Sequence, residues 1–227
     1  MTKKEIARYA KSLSSAIEKI LAMDGYIENP AETENFLQLL DSNNHDSHEF
    51  QQMIQEYAQN LLNRMLPGLE VFVRDTNLNE DSTRKYKQGM FLRNPGFTDA
   101  SGRNGGLITT NRFAILSNHM AEMGRFSPNP WGLHVAQCNS YFKVLSNYTS
   151  PSGKHLTILL HLPGDKTWKL LQKIHITQEE ELVSMVIERF EKRLQEPPIS
   201  DLTSEIWLER CSDLIGFDEN GKPWPLE

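Results

Sequence analysis

The sequence predicts an α+β fold: a mainly antiparallel central sheet over about residues 69–162, flanked by N-terminal and C-terminal helices. Three observations predict it. Apolar residues recur at helical spacing through residues 1–66 and again through 163–227. The stretch between carries short apolar runs separated by Gly-, Asn- and Pro-rich breaks, the pattern of strands and loops. Helices and strands do not alternate, which argues against a doubly wound parallel sheet. The 227 residues then make a single domain with three sub-regions: helical 1–66, strand-and-loop 69–162 and helical 163–227.

At the N-terminus, Thr2 and Glu5 are spaced as a capping box. Ile6, Tyr9, Leu13, Ile17 and Ile20 then repeat on one helical face, ending near Asp24-Gly25. Asn29-Pro30 opens a shorter helix through about Leu40, with proline at the first helical position. Asp46 caps a third helix, with Glu49 three residues on. Phe50, Met53, Ile54, Tyr57, Leu61 and Met65 line its apolar face until Pro67-Gly68 stops it.

In the middle zone, Glu70–Arg74, Leu107–Thr110, Phe113–Leu116, Leu133–Ala136 and Tyr141–Leu145 read as strands. A hairpin joins Tyr141–Asn147 to His155–Leu162 across Ser150-Pro-Ser-Gly153. The C-terminal zone returns to helix. Thr177 with Glu180 forms another capping box, and Leu182, Val183, Val186, Ile187, Phe190 and Leu194 make the stripe. Pro197-Pro198 ends it, and a short helix follows from about Asp201 to Arg210.

Charge is laid out unevenly along these zones. Residues 84–162 hold nine basic side chains and two acidic ones, whereas residues 1–83 carry a net −7 and residues 163–227 a net −6. A cationic block inside an acidic chain attracts anions. No apolar run approaches the roughly 20 residues of a membrane span. The N-terminus lacks the apolar core of a signal peptide. Cys138 and Cys211 form no CxxC pair, which suits a reducing cytosol and gives no zinc signature. The sequence therefore predicts a cytoplasmic protein with no membrane association, no metal and no cofactor.

Several motifs could carry chemistry. His45-Asp-Ser-His48-Glu49 has metal-ligand residue types, but Asp46 and Glu49 already serve the helix start. His155-Leu-Thr157 and His175-Ile-Thr177 are two HxT triplets twenty positions apart. Such triplets resemble the paired motifs of two-histidine phosphoesterases, which implies a grip on phosphate. Alternation on the strand Lys154–His161 puts His155, Thr157 and His161 on one face, where they suit proton transfer, phosphate binding or simple burial. Ser101-Gly-Arg-Asn-Gly-Gly106 is either a backbone anion nest with Arg103 at its centre or a plain turn. Nine aromatic residues interleave with the central cations, as on a single-strand nucleic-acid surface or in a sheet core.

Pro95-Gly-Phe-Thr-Asp-Ala-Ser101, followed by Tyr141-Phe-Lys-Val-Leu145 and the closing hairpin, resembles the strand order of ADP-ribosyltransferases. The resemblance implies that Arg74 stands where that family has an early-strand arginine. The chain departs from the family where an acidic catalytic residue is needed before the closing hairpin, since it reads Leu133-His-Val-Ala-Gln-Cys138.

Together these features predict a protein that binds a phosphate-bearing ligand, a nucleic acid or a nucleotide, through its basic sheet and loops. Arg103, Asn104, Arg93, Arg112 and Arg125 are the ligand-binding candidates. An enzyme acting on a nucleotide or phosphodiester is the alternative, with His155, Thr157, His161 and His134 as acid, base or phosphate-gripping groups. A third reading is a regulatory factor whose acidic helical surfaces dock a protein partner.

Overall fold

The computed structural model describes residues 66–162, 169, 171–172 and 178–226. Its centre is one eight-stranded sheet in the order β2-β7-β8-β4-β1-β3-β6-β5. The strands are β1 (Glu70–Thr76), β2 (Phe91–Asn94), β3 (Thr98–Ser101), β4 (Asn111–Ser117), β5 (Ala121–Glu122), β6 (Leu133–Ala136), β7 (Ser140–Thr149) and β8 (His155–Leu162). Three helices are described: α1 (Glu80–Thr83), α2 (Glu179–Arg193) and α3 (Glu205–Arg210). Single 3₁₀ turns occupy Gly124–Phe126 and Ser200–Thr203.

This corrects the predicted fold class. The sheet is mixed, because β4 and β8 run parallel at its centre, and among the described residues it dominates helices that are few and short. Local hairpin patterns made antiparallel pairing the natural expectation. The β4–β8 contact instead joins strands about forty residues apart, with β5, β6 and β7 between them, and no local pattern announces such a partner. The predicted N-terminal helices lie outside the described residues, as does Thr177 of the C-terminal capping box. The described cap of α2 is Gln178, which makes no side-chain cap bond.

Other expectations fare individually. The hairpin across residues 150–153 forms, with a bulge between Val144 and Ser146. The segment 107–110 is not a strand, whereas β2, β3 and β5 are strands that the sequence pattern did not mark.

The core divides by sheet face. Leu156, Ile158 and Leu160 of β8 pack under Val186 and Phe190 of α2 on one face. On the other, Phe72, Phe113, Ile115, Phe142 and Leu159 meet Tyr86, Ile215 and Phe217, so the irregular C-terminal tail covers that face. Tyr86 anchors the tail by donating its hydroxyl to the Ile215 carbonyl, 3.1 Å away. Its burial pushes the phenol far above its usual value and keeps it protonated. A third cluster, with Trp131 tilted against Trp207 at 5.2 Å, joins β6 to α3.

Candidate functional site

The β3–β6–β5 end of the sheet brings a half-buried histidine beside an exposed carboxylate. In register, His134 of β6 faces Ala100 of β3 on one side and Glu122 of β5 on the other. Cross-strand partners share a face, so imidazole and carboxylate stand side by side. The His134 ring lies on Phe72, centroids 4.5 Å apart. Its Nδ1 is 3.0 Å from the Gly132 carbonyl oxygen. A carbonyl can only accept, so Nδ1 donates to it and Nε2 is the ring nitrogen left for a ligand. His134 is half-buried and Glu122 exposed. Arg125 follows in the next turn, exposed, 3.6 Å from the Glu122 carboxylate.

Behind this end lies a buried cation. Arg74 is 4% exposed. It donates to the backbone carbonyls of Asp99 at 3.2 Å and Asp213 at 3.0 Å, while its Nε has no partner. Among the described residues no carboxylate pairs with it. Asp99 is held instead by Arg210 at 2.7 Å, and Asp75 by Arg112 at 2.6 Å. A buried guanidinium with no direct carboxylate partner adds positive charge to this end of the interior.

The sequence candidates fall into separate places. His134 and Arg125 share the site just described. Arg103 borders it, its stem against Gly132, but its guanidinium is engaged by the Pro130 carbonyl and, at 2.8 Å, by Asp201. Arg112 is buried in a two-pronged pair with Asp75 and also donates to Asn104 Oδ1 at 2.7 Å and the Gly105 carbonyl at 3.0 Å. Arg93 donates to Asn139 and to the Pro225 carbonyl on the opposite edge of the sheet. The glycines of the 101–106 loop admit close packing: a Cβ on Gly105 would sit 2.8 Å from Ile199 Cγ1, and Gly106 bridges to Pro198.

The β8 candidates share one face as alternation required, yet do not converge with His134. Four strand spacings, about 19 Å, separate β8 from β6. Thr157 is buried, and His155 Nδ1 lies 3.0 Å from Thr149 Oγ1 at the strand end. His161 is buried in a stack with His119, centroids 3.9 Å apart, and its Nδ1 is 2.9 Å from Ser117 Oγ. Burial holds the His161 ring well below the usual histidine range, with the neighbouring His119 adding to the shift. Sequence reasoning missed Glu122 as a partner. Its one available signal was being one of only two acids in the basic zone, because the two-residue β5 is too short to mark itself.

No protein-family model matches the chain, and no curated protein matches it. Solved structures do. The ADP-ribosyltransferase HopU1 of Pseudomonas syringae pv. Tomato DC3000 is 18% identical, with 58% of this chain and 65% of that chain covered at a TM-score of 0.38. Exoenzyme S from Pseudomonas aeruginosa, in complex with human 14-3-3 protein beta and bound to carba-NAD, is 11% identical over 57% and 66%, at 0.36. The Clostridium limosum C3 exoenzyme is 12% identical over 68% and 93%, also at 0.36. The chain thus spans under two thirds of HopU1 and of exoenzyme S. At these scores the likeness is one of outline.

Proposed function

We propose that the protein binds a phosphate-bearing ligand of the nucleotide class at the β3–β6–β5 end of its sheet. One observation carries the reading: the exposed Arg125 and the half-buried His134 share the sheet end at which Arg74, a buried guanidinium without a carboxylate partner, donates to the backbone of β3. The phosphates of the ligand meet this positive field, and the half-buried His134 ring, tilted against Phe72, offers an aromatic surface for a base. Arg74 remains under the tail and acts through its charge rather than by contact.

The test is calorimetric titration with NAD, ADP-ribose, ATP and a short single-stranded oligonucleotide, at low and moderate salt. NAD comes first because the exoenzyme S structure holds carba-NAD. At least one of these ligands is expected to bind, more weakly as salt screens the charges, and His134→Ala with Arg125→Glu should remove the binding. Silence from all four at low salt, or an unaffected double variant, sinks the proposal.

A second reading, an enzyme acting on a nucleotide, is favoured by the register that sets Glu122 beside His134. A carboxylate there can stabilise positive charge developing on a ribose, while His134 Nε2 takes a proton from attacking water. In this reading the acid comes from β5, the strand beside the one in which the transferase resemblance lacks it. Nicotinamide release from NAD, lost in both Glu122→Gln and His134→Ala, is the expected signature. Binding without any turnover leaves the binding reading alone.

A further inference from the structure

The face opposite the candidate site carries a groove along α2 that the proposed function does not use. One cavity of about 470 Å³ lies between α2 and strands β1, β4 and β8, floored by Val73, Ala114, Leu156, Val186 and Phe190. A second, about 310 Å³, continues along the helix between Leu66, Leu116, Leu182 and Met185. The two share Leu69, Val71 and Arg189, so they form one trough. Each alone falls within the range of ligand pockets, roughly 300–1,000 Å³.

Its two ends differ in chemistry. Toward the C-terminal end of α2, Lys192 and Arg193 stand on the rim with Asn104, and Arg189 stands where the two cavities meet, against the single acid Glu70. Arg193 is paired with Glu196, whereas Arg189 and Lys192 are exposed and pair with no carboxylate among the described residues. The other end is mainly aliphatic, with Gln178 and Glu181 at its rim, and Glu181 disfavours a second anionic group there. Cations in the last turn of a helix also complement its dipole. That role accounts for their sign but not for their place over an apolar trough.

We infer that this trough is a separate binding site for a single-chain lipid with a phosphate head, the head at Arg189 and Lys192 and the chain laid toward Leu182 and Met185. A phosphate monoester suits the cationic end better than a carboxylate, because it offers three acceptor oxygens and up to two negative charges to several donors. The aliphatic floor suits a hydrocarbon chain, since each methylene moved from water into it favours binding.

The experiment titrates the full chain with dodecyl phosphate below its micellar concentration, with inorganic phosphate and dodecanol as controls. Dodecyl phosphate is expected to bind in the micromolar range, and both controls at least about tenfold more weakly. Arg189→Glu with Lys192→Glu should weaken dodecyl phosphate by a similar factor while circular dichroism stays unchanged. Met185→Trp, which fills the apolar end, should weaken it too. NAD should not displace it, because the two sites lie on opposite faces. Absence of dodecyl phosphate binding, as when another part of the chain covers the trough, overturns the inference. So does inorganic phosphate binding as tightly, indifference to the charge reversals, or displacement by NAD.

Discussion

The Asp75–Arg112 pair shows how much of a residue's role lies outside its type. The sequence marks Arg112 as a cation in a basic zone, and the structure puts its guanidinium at 2% side-chain exposure, Nε 2.6 Å and Nη2 2.7 Å from the Asp75 carboxylate oxygens. The two residues are direct partners across β1 and β4, a register that no short-range pattern could reveal. Removing one member strands the other as a buried, uncompensated charge, which typically costs about 3–5 kcal/mol. Asp75→Ala should therefore lower unfolding free energy by roughly that amount in urea titrations, and Arg112→Ala by a similar amount. Arg84→Ala provides the contrast. Its ion pair with Glu80 is exposed on both sides, so the loss should stay within about 0.5 kcal/mol. Equal losses at the two sites would contradict the burial argument.

At the scale of elements, strands with long apolar runs were legible and short ones were not. β4 and β8 announce themselves through Phe113-Ala-Ile-Leu116 and Leu156–Leu160, whereas Thr98-Asp-Ala-Ser101 has no apolar alternation and is a strand because β1 and β6 flank it. The glycine-rich loop was legible as an irregular segment and not as a packing surface, since its partner, residues 196–199, lies more than ninety positions away. There Gly106 runs against the backbone of Glu196 and Pro197, donating its N–H to the Pro197 carbonyl at 3.1 Å. A Cβ on Gly106 would overlap the Glu196 carbonyl oxygen, a backbone atom that cannot swing aside. Gly106→Ala should consequently destabilise the protein by about 2 kcal/mol or more and loosen the 196–199 segment in hydrogen exchange. Gly96→Ala, with open space around its Cβ, should change stability by less than about 0.5 kcal/mol. If Gly106→Ala is as harmless as Gly96→Ala, the loop is not held by this close approach.

For the whole molecule, the charge asymmetry that dominates the sequence is partly dissolved by folding. Cations of the central block pair with acids of other segments: Lys143 with Glu179, Arg103 with Asp201, Arg112 with Asp75. The candidate site was legible through His134 and Arg125 and hidden in Glu122 and in the isolation of Arg74, because isolation is a property of three-dimensional neighbours. The same holds for the buried histidine pair, which ties overall stability to pH. His119 stacks on His161 at 3.9 Å, with Asn118, Ser117, Phe142 and the Leu162 carbonyl around them. Burial lowers His119 from its usual 6.5 to about 4, and His161 shifts in the same direction. Below pH 6.5 the unfolded chain therefore binds more protons than the folded one, and the stability that is full above that value falls as pH drops toward 4. For His119 alone the loss across this window is roughly 3 kcal/mol. Urea midpoints measured from pH 7 down to pH 4.5 should decline in the wild type, and a His119→Phe, His161→Phe double variant should decline much less. If the two curves run parallel, the acid sensitivity arises elsewhere and the stacked pair contributes none of it.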